Sequence, residues 1–221
     1  MKKLAVFMLA MALAVSTSIS AMAASFTPSV QGKDAPDVVT KTVISKDGSI
    51  KKYSGQVVDK NGKVVKNVEN KKIIITPVSK AKDASKAIKT ELETAYKQIK
   101  EAKSLKDLVP DIDKHLKSIS NTLKVENMVV RDLFDVTIDQ ETEKLLKNGN
   151  SVQLTFKLDV KATDKVVCLY QDNEGKWKAI DKSRVKNNKD GTVTVNITES
   201  GPIAFVVEKK NTVRKTLGSA F

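Results

Sequence analysis

The stretch SVQLTFKLDV, residues 151–160, sets Val152, Leu154, Phe156, Leu158 and Val160 against polar neighbours with a period of two. Only an extended chain puts such residues on one side, so the segment reads as a strand with one buried and one wet face. The same pattern recurs around it. MVVRDLFDVTI begins at Met128, and TVTVNIT points Val193, Val195 and Ile197 inward. KVVCLYQ is apolar on both faces and reads as central, and IAFVVE follows a turn at Ser200-Gly-Pro202 as another buried strand. Asn173-Glu-Gly175 and Lys189-Asp-Gly191 mark turns between these runs. Strands at roughly ten-residue spacing with glycine turns predict a β-sandwich.

Upstream, SFTPSVQGKDAPD reads as extended, and DVVTKTVI and GSIKKYSGQVV supply β-branched runs. Lys60-Asn61-Gly62 marks a hairpin. Ile73–Ile75 reads as a buried strand that Pro77 ends or pushes to an edge. From Ser79 the period changes. Ala84, Ile88, Leu92, Ala95, Ile99 and Ala102 make one helical stripe, predicting a helix over about 83–103 that Asp83 can cap. Ser104-Leu-Lys-Asp107 resembles a capping box, Pro110 interrupts, and Ile112, Leu116, Ile119 and Leu123 form a second stripe. A short helix after Asp139 holds Leu145 and Leu146 and stops at Gly149. The fold class is therefore α+β, an antiparallel β-sandwich with an inserted helical hairpin. The expected organisation is a signal peptide over 1–23, an extended segment over 24–37 and strands over 38–79. The hairpin covers 80–124, the main sandwich 125–208 and a basic tail 209–221.

Two lysines, an apolar run from Leu4 to about Val15 and Ala21-Met22-Ala23 have the form of a cleavable secretory signal. The run is shorter than the ~20 residues that span a bilayer. No other stretch is long enough, so no transmembrane segment is expected after cleavage. No lipobox cysteine and no hydrophobic tail are seen, and the expected location is extracellular or loosely cell-wall associated.

The net charge is +13, and lysine carries it: the arginines are Arg131, Arg184 and Arg214 alone. Nucleic-acid readers rely on guanidinium forks and stacking rings, and aromatics make up 5% of the chain, so nucleic acid is not an expected partner. The charge is spread out, as on a solvated lysine-rich surface. The alternative is attraction to an anionic envelope polymer.

Catalytic chemistry is thinly represented. With one histidine and one cysteine, a zinc site of the usual kind is excluded. Cys168 lies in the most apolar run of the mature chain and reads as core filling, not as a nucleophile, which needs electropositive, partly open surroundings. No cofactor is expected. Asp59-Lys-Asn61-Gly62 and Asp172-Asn-Glu174-Gly175 look like the start of calcium loops but lack the closing ligands, so they read as turns. Asp132, Asp135 and Asp139 admit two readings. They form an acid–base pair, or Asp139 caps a helix while Asp132 pairs with Arg131 or a lysine. Trp177 either offers a ring to a sugar or covers the sandwich edge.

SFTPSVQGKDAPDVV, IIITPVSKA, MVVRDLFDV, VQLTFKLDV, NNKDGTVTV and PIAFVV together resemble a family of uncharacterised secreted proteins of Gram-positive, anaerobic gut bacteria. The resemblance covers most of the mature chain and implies no established activity, so no residue inherits a catalytic or ligand role. Some similar proteins continue into a wall or membrane anchor; the short basic tail here lacks an LPxTG-type signal. The C-terminal strands resemble the immunoglobulin-like modules of bacterial surface proteins, a likeness of fold and not of function. The expected role is a non-enzymatic binding or adhesion module for an envelope polymer, a glycan or a host protein. Trp177, Tyr170, Arg131, Asp132 and Asp135 are its candidate surface residues. A secreted hydrolase using carboxylates such as Asp132 and Asp135, and a structural protein of the envelope, are the alternatives.

Overall fold

The computed structural model describes residues 37–38, 42–43, 51–158 and 160–208. The signal peptide, nearly all of the extended segment and the basic tail lie outside the described residues. The protein is α+β and sandwich-like. Its strands are β1 (Asp37–Val38), β2 (Thr42–Val43), β3 (Lys51–Val58), β4 (Val64–Pro77), β5 (Met128–Ile138), β6 (Ser151–Lys157), β7 (Val166–Gln171), β8 (Trp177–Ala179), β9 (Val185–Asn187), β10 (Thr192–Ile197) and β11 (Gly201–Glu208). All described pairings are antiparallel, and the strands run β8-β7-β11-β5-β4-β3-β6-β10-β9, with β1 beside β6 and β2 beside β3.

This ribbon folds over on itself. One apolar cluster joins Phe134, Phe205 and Cys168 from one half to Phe156, Val193 and Val195 from the other. Phe134, Phe156 and Phe205 form a triangle with ring centroids 5.2, 5.6 and 5.2 Å apart, the tilted spacing that aromatic quadrupoles favour. The fold line falls at β3, whose start pairs with β2 and β4 and whose end pairs with β4 and β6. Gly55 sits at that corner. A Cβ there would lie 3.0 Å from Val152 and 3.1 Å from Ile73 and Leu154, so two strands approach where only a glycine leaves room.

The outer face of the β8-β7-β11-β5 half carries a second core. Helices α1 (Lys86–Glu101), α2 (Leu105–Leu108) and α3 (Ile112–Ile119) cover it between β4 and β5 in sequence. The stripe read from the sequence is the buried face of α1, through Leu92, Ala95 and Ile99. Its cap is Ser85, whose hydroxyl accepts from Ile88 N at 3.4 Å; Asp83 instead ends a 3-10 turn over Val78–Asp83. Ser104 and Asp107 do form the capping box of α2. Helix α4 (Gln140–Leu146) links β5 to β6, with Asp139 accepting from Thr142 N at 3.0 Å. No helix among the described residues is long and apolar enough to cross a membrane.

The aromatic triangle yields the first prediction. Phe156→Ala empties its far corner and should cost about 3–5 kcal/mol in urea unfolding. A loss below about 1 kcal/mol would mean the two halves are not held at this point.

Candidate ligand-binding cleft

Strand parity fixes what β5 presents to the helices. Phe134 and Val136 enter the inner core, so Leu133 and Asp135 face the helix side. Leu133 meets the apolar helix layer. Asp135, one step further, lies beyond it, with Pro202 of β11 and Thr76 of β4 directly opposite on its two sides. Here α1 and the sheet end part around a cleft of about 510 Å³. Ser85, Thr90, Glu91 and Thr94 of α1 form one wall, and Asp135 and Thr137 lie at the sheet. Ala87, Ile88, Gln171 to Asn173, Gly175 and Ser200 to Pro202 complete the lining.

The walls are braced from both sides. Gln171 Nε2 donates to Gln98 Oε1 at 2.6 Å and to the Gly175 carbonyl at 3.0 Å, tying α1 to the β7–β8 turn. In that turn Asp172 Oδ1 accepts from the backbone N–H of Glu174 at 3.0 Å and of Lys176 at 2.9 Å, and Gly175 takes φ 75°. Asp172 also pairs with Lys178 at 2.7 Å. At the opposite rim Ser200 Oγ donates to Glu143 Oε1 at 2.5 Å and accepts from Ile138 N at 3.0 Å.

Asp135 is the unusual member. It is 1% exposed, and its described side-chain bond is the one Oδ1 accepts from Thr137 Oγ1 at 2.6 Å. Burial pushes its carboxyl up to about 6, the Thr137 bond works against the rise, and the negative charge of Glu91 adds to it. None of the described lysines or arginines forms an ion pair with it. Thr76, its cross-strand neighbour on the same face, buries a hydroxyl that has no partner among the described residues. The sheet end therefore holds a nearly solvent-free carboxyl, raised toward neutral pH by its burial, beside a hydroxyl with no partner among the described residues.

The other residues singled out in the sequence lie elsewhere. Asp132 pairs with Arg131 at 2.7 Å and sits opposite Phe205 of the inner core. Three positions from Asp135 on one regular stretch of strand, it faces the other side, so the fold does not bring these two carboxyls together. Trp177 is 5% exposed. It belongs to the helix-side core, where it lines a groove of about 590 Å³ with Gln98, Ala102, Leu108 and Lys178, and its Nε1 is buried with no partner among the described residues. Its ring is therefore mostly covered, as in the second of the two sequence readings. Tyr170 is half-buried and packs on the inner core.

Cys168 is fully buried, and burial pushes its thiol far above the ordinary range. It does share a cavity of about 190 Å³ with His115, a pairing that no sequence pattern announces. Burial also lowers His115, so at neutral pH both groups are uncharged and no thiolate–imidazolium pair forms. The two turns read against calcium are closed by their own amides: Asp59 Oδ1 accepts from Asn61 N at 2.8 Å and Lys63 N at 2.9 Å, as Asp172 does in its turn. No three His, Cys, Asp or Glu gather as a metal cluster among the described residues. Sequence reasoning missed Glu91, Gln171 and Ser200, which only the tertiary fold brings to Asp135.

No family model, curated protein or solved structure matches the chain.

Two measurements test this site and its surroundings. Cys168 should react with a thiol reagent only on unfolding; rapid labelling of the native protein would contradict its burial. Asp135 has a folded pKa raised above its unfolded value, so folding is penalised as pH rises through the interval between about 4 and about 6. Asp135→Asn removes that penalty and should raise stability by about 3 kcal/mol at neutral pH. The gain should fade below about pH 4. Denaturation of both forms across pH measures it, and an equal or less stable Asn variant at neutral pH would show that the carboxylate is compensated.

Proposed function

We propose that the protein is a secreted, non-enzymatic binding module whose ligand enters the cleft between α1 and the Asp135 end of the sheet. The observation that carries this reading is Asp135 itself. A buried carboxyl with no counter-charge among the described residues, at the base of an open cleft, costs folding energy on ionising that an asparagine would not. Such costs gather where a ligand supplies the missing partner. The hydroxyls and amides of Ser85, Thr90, Thr94, Thr137 and Gln171 around it suit a small polar group.

Binding fits these groups better than catalysis does. Glu91 is exposed and Asp132 faces the other side of β5, so the cleft does not pair Asp135 with a second tuned acid or base. The strand order supports an immunoglobulin-like resemblance. Strands β6, β10 and β9 stand as B, E and D do in that fold, and β8, β7 and β11 as C′, C and F. β3 takes the place of the first strand beside β6, and β5 that of the last beside β11, although it precedes them in the chain. We read the lysine-rich surface as a means of retention on an anionic envelope, separate from the cleft. Membership of the secreted gut-bacterial family remains part of the same proposal.

A fragment set of cations, anions and neutral polyols, followed by NMR on the labelled protein, tests the cleft. Shift changes should gather on the amides of Thr94, Gln171, Gly175 and Gly201. Changes centred elsewhere, or none from any class, would overturn the reading.

A further inference from the structure

We infer that the group captured in this cleft is an organic cation, an ammonium or guanidinium, held by Asp135 at the base and Glu91 at the wall. The inference rests on the cleft reading and narrows its ligand.

The first argument is one of composition against place. The chain holds 39 lysines and arginines and carries +13, yet no lysine, arginine or histidine lines this cleft. Its charged lining is Glu91, Asp135 and Asp172. Asp172 is accounted for by Lys178 and two backbone N–H groups. Asp135 has no cationic partner among the described residues, and no described ion pair involves Glu91. A highly basic protein thus keeps one cleft acidic.

The second argument is the depth of the charge. Asp135 is 1% exposed, so a cation reaching it meets a carboxylate poorly screened by water, where a charge-assisted hydrogen bond is strongest. Thr76, cross-strand from Asp135, supplies no charge either, and its buried hydroxyl has no partner among the described residues. An N–H donor delivered to Asp135 supplies its missing counter-charge.

Competing ligand classes fare worse. The N-terminus of α1 near Ser85 favours an anion with only about half a unit charge. Against it stand the full charges of Asp135 and Glu91. A divalent metal asks for six or more oxygens, several of them carboxylates, and no cluster of three such residues exists among the described residues. A neutral sugar usually stacks on an aromatic ring, and the cleft lining has none. An ammonium needs only the carboxylates and nearby hydroxyls that are present.

The test uses the full-length secreted chain and matched probes: pentylammonium, pentanol and pentanoate, with acetyl-lysine methylamide and butylguanidinium as further arms. Titrations are followed by NMR at the cleft amides. Pentylammonium should bind at millimolar concentration, and pentanol and pentanoate should not. Asp135→Asn should weaken pentylammonium at least about tenfold, and Glu91→Gln by a smaller factor. Acetyl-lysine methylamide binding more tightly than pentylammonium would point to a lysyl side chain as the source. The reverse order would point to a free amine. Tighter butylguanidinium would point to an arginine-like group. If pentanol or pentanoate shifts the cleft amides as strongly as the cation, or Asp135→Asn binds the cation equally, the cationic assignment falls while the cleft remains a binding site. If no probe of any charge moves these amides, the cleft reading itself has failed.

Discussion

The three rings of Phe134, Phe156 and Phe205 hold the two halves of the sheet face to face, and the rest of the molecule takes its orientation from them. With Phe134 turned inward, parity sends its neighbours Leu133 and Asp135 outward. A bulge then changes the count. Phe205 pairs with Asp132 and Val206 with Val130, so Arg131 is the extra residue. That insertion lets Met128 and Val130 share the helix side with Leu133, although they differ from it in parity. Without it, either the start of β5 would turn its apolar side chains away from the helices, or Asp135 would enter the inner core.

The same geometry explains why the lysines do not neutralise the cleft. They are drawn to acids at turns and rims. Lys178 and Lys176 meet Asp172 and Glu174 at the β7–β8 turn, and Lys72 meets Asp139 and Glu141 beside α4. These exposed pairs each contribute little to stability, because water screens them. Asp135 lies at a sheet position whose strand neighbours are Thr76 and Pro202, neither able to supply a charge. The charge is stranded by topology, not by a shortage of cations.

Much of this arrangement was legible in the sequence. The alternation in 151–160 and 192–197 is the inner face of β6 and β10, and the stripe of Leu92, Ala95 and Ile99 is the buried face of α1. The burial of Cys168 followed from the apolar run around it. Less legible was anything that depends on register. Asp132, Asp135 and Asp139 look alike as a cluster in RDLFDVTID, but one sits at an ion pair, one in a cleft and one at a helix cap. A sharper signal was present: an aspartate between Phe134 and Val136 is a polar residue where a strand is otherwise buried on both sides. Trp177 was harder, because a ring beside a glycine turn is exposed or covered depending on a helix distant in sequence. Ser85 displaced Asp83 as the cap because the chain first makes a 3-10 turn, which no period in the sequence announces.

The helix layer itself shows why the cleft can exist without loosening the fold. Helix α1 buries Leu92, Ala95 and Ile99 along its middle and C-terminal part, while Ser85, Thr90 and Glu91 line open space nearer its start. Its grip on the sheet is therefore uneven, and Gln98 and Gln171 add polar ties at the gripped end. The apolar layer stops where β5 changes from Leu133 to Asp135. Past that step, closing the helix onto the sheet would desolvate a carboxylate further and bury its hydroxyl-bearing wall, and the hydrophobic area gained would be small. The gap is thus the lower-energy arrangement for the unliganded chain. A ligand that satisfies Asp135 would add contacts where α1 now has few, and it need not disturb those that hold α1 in place.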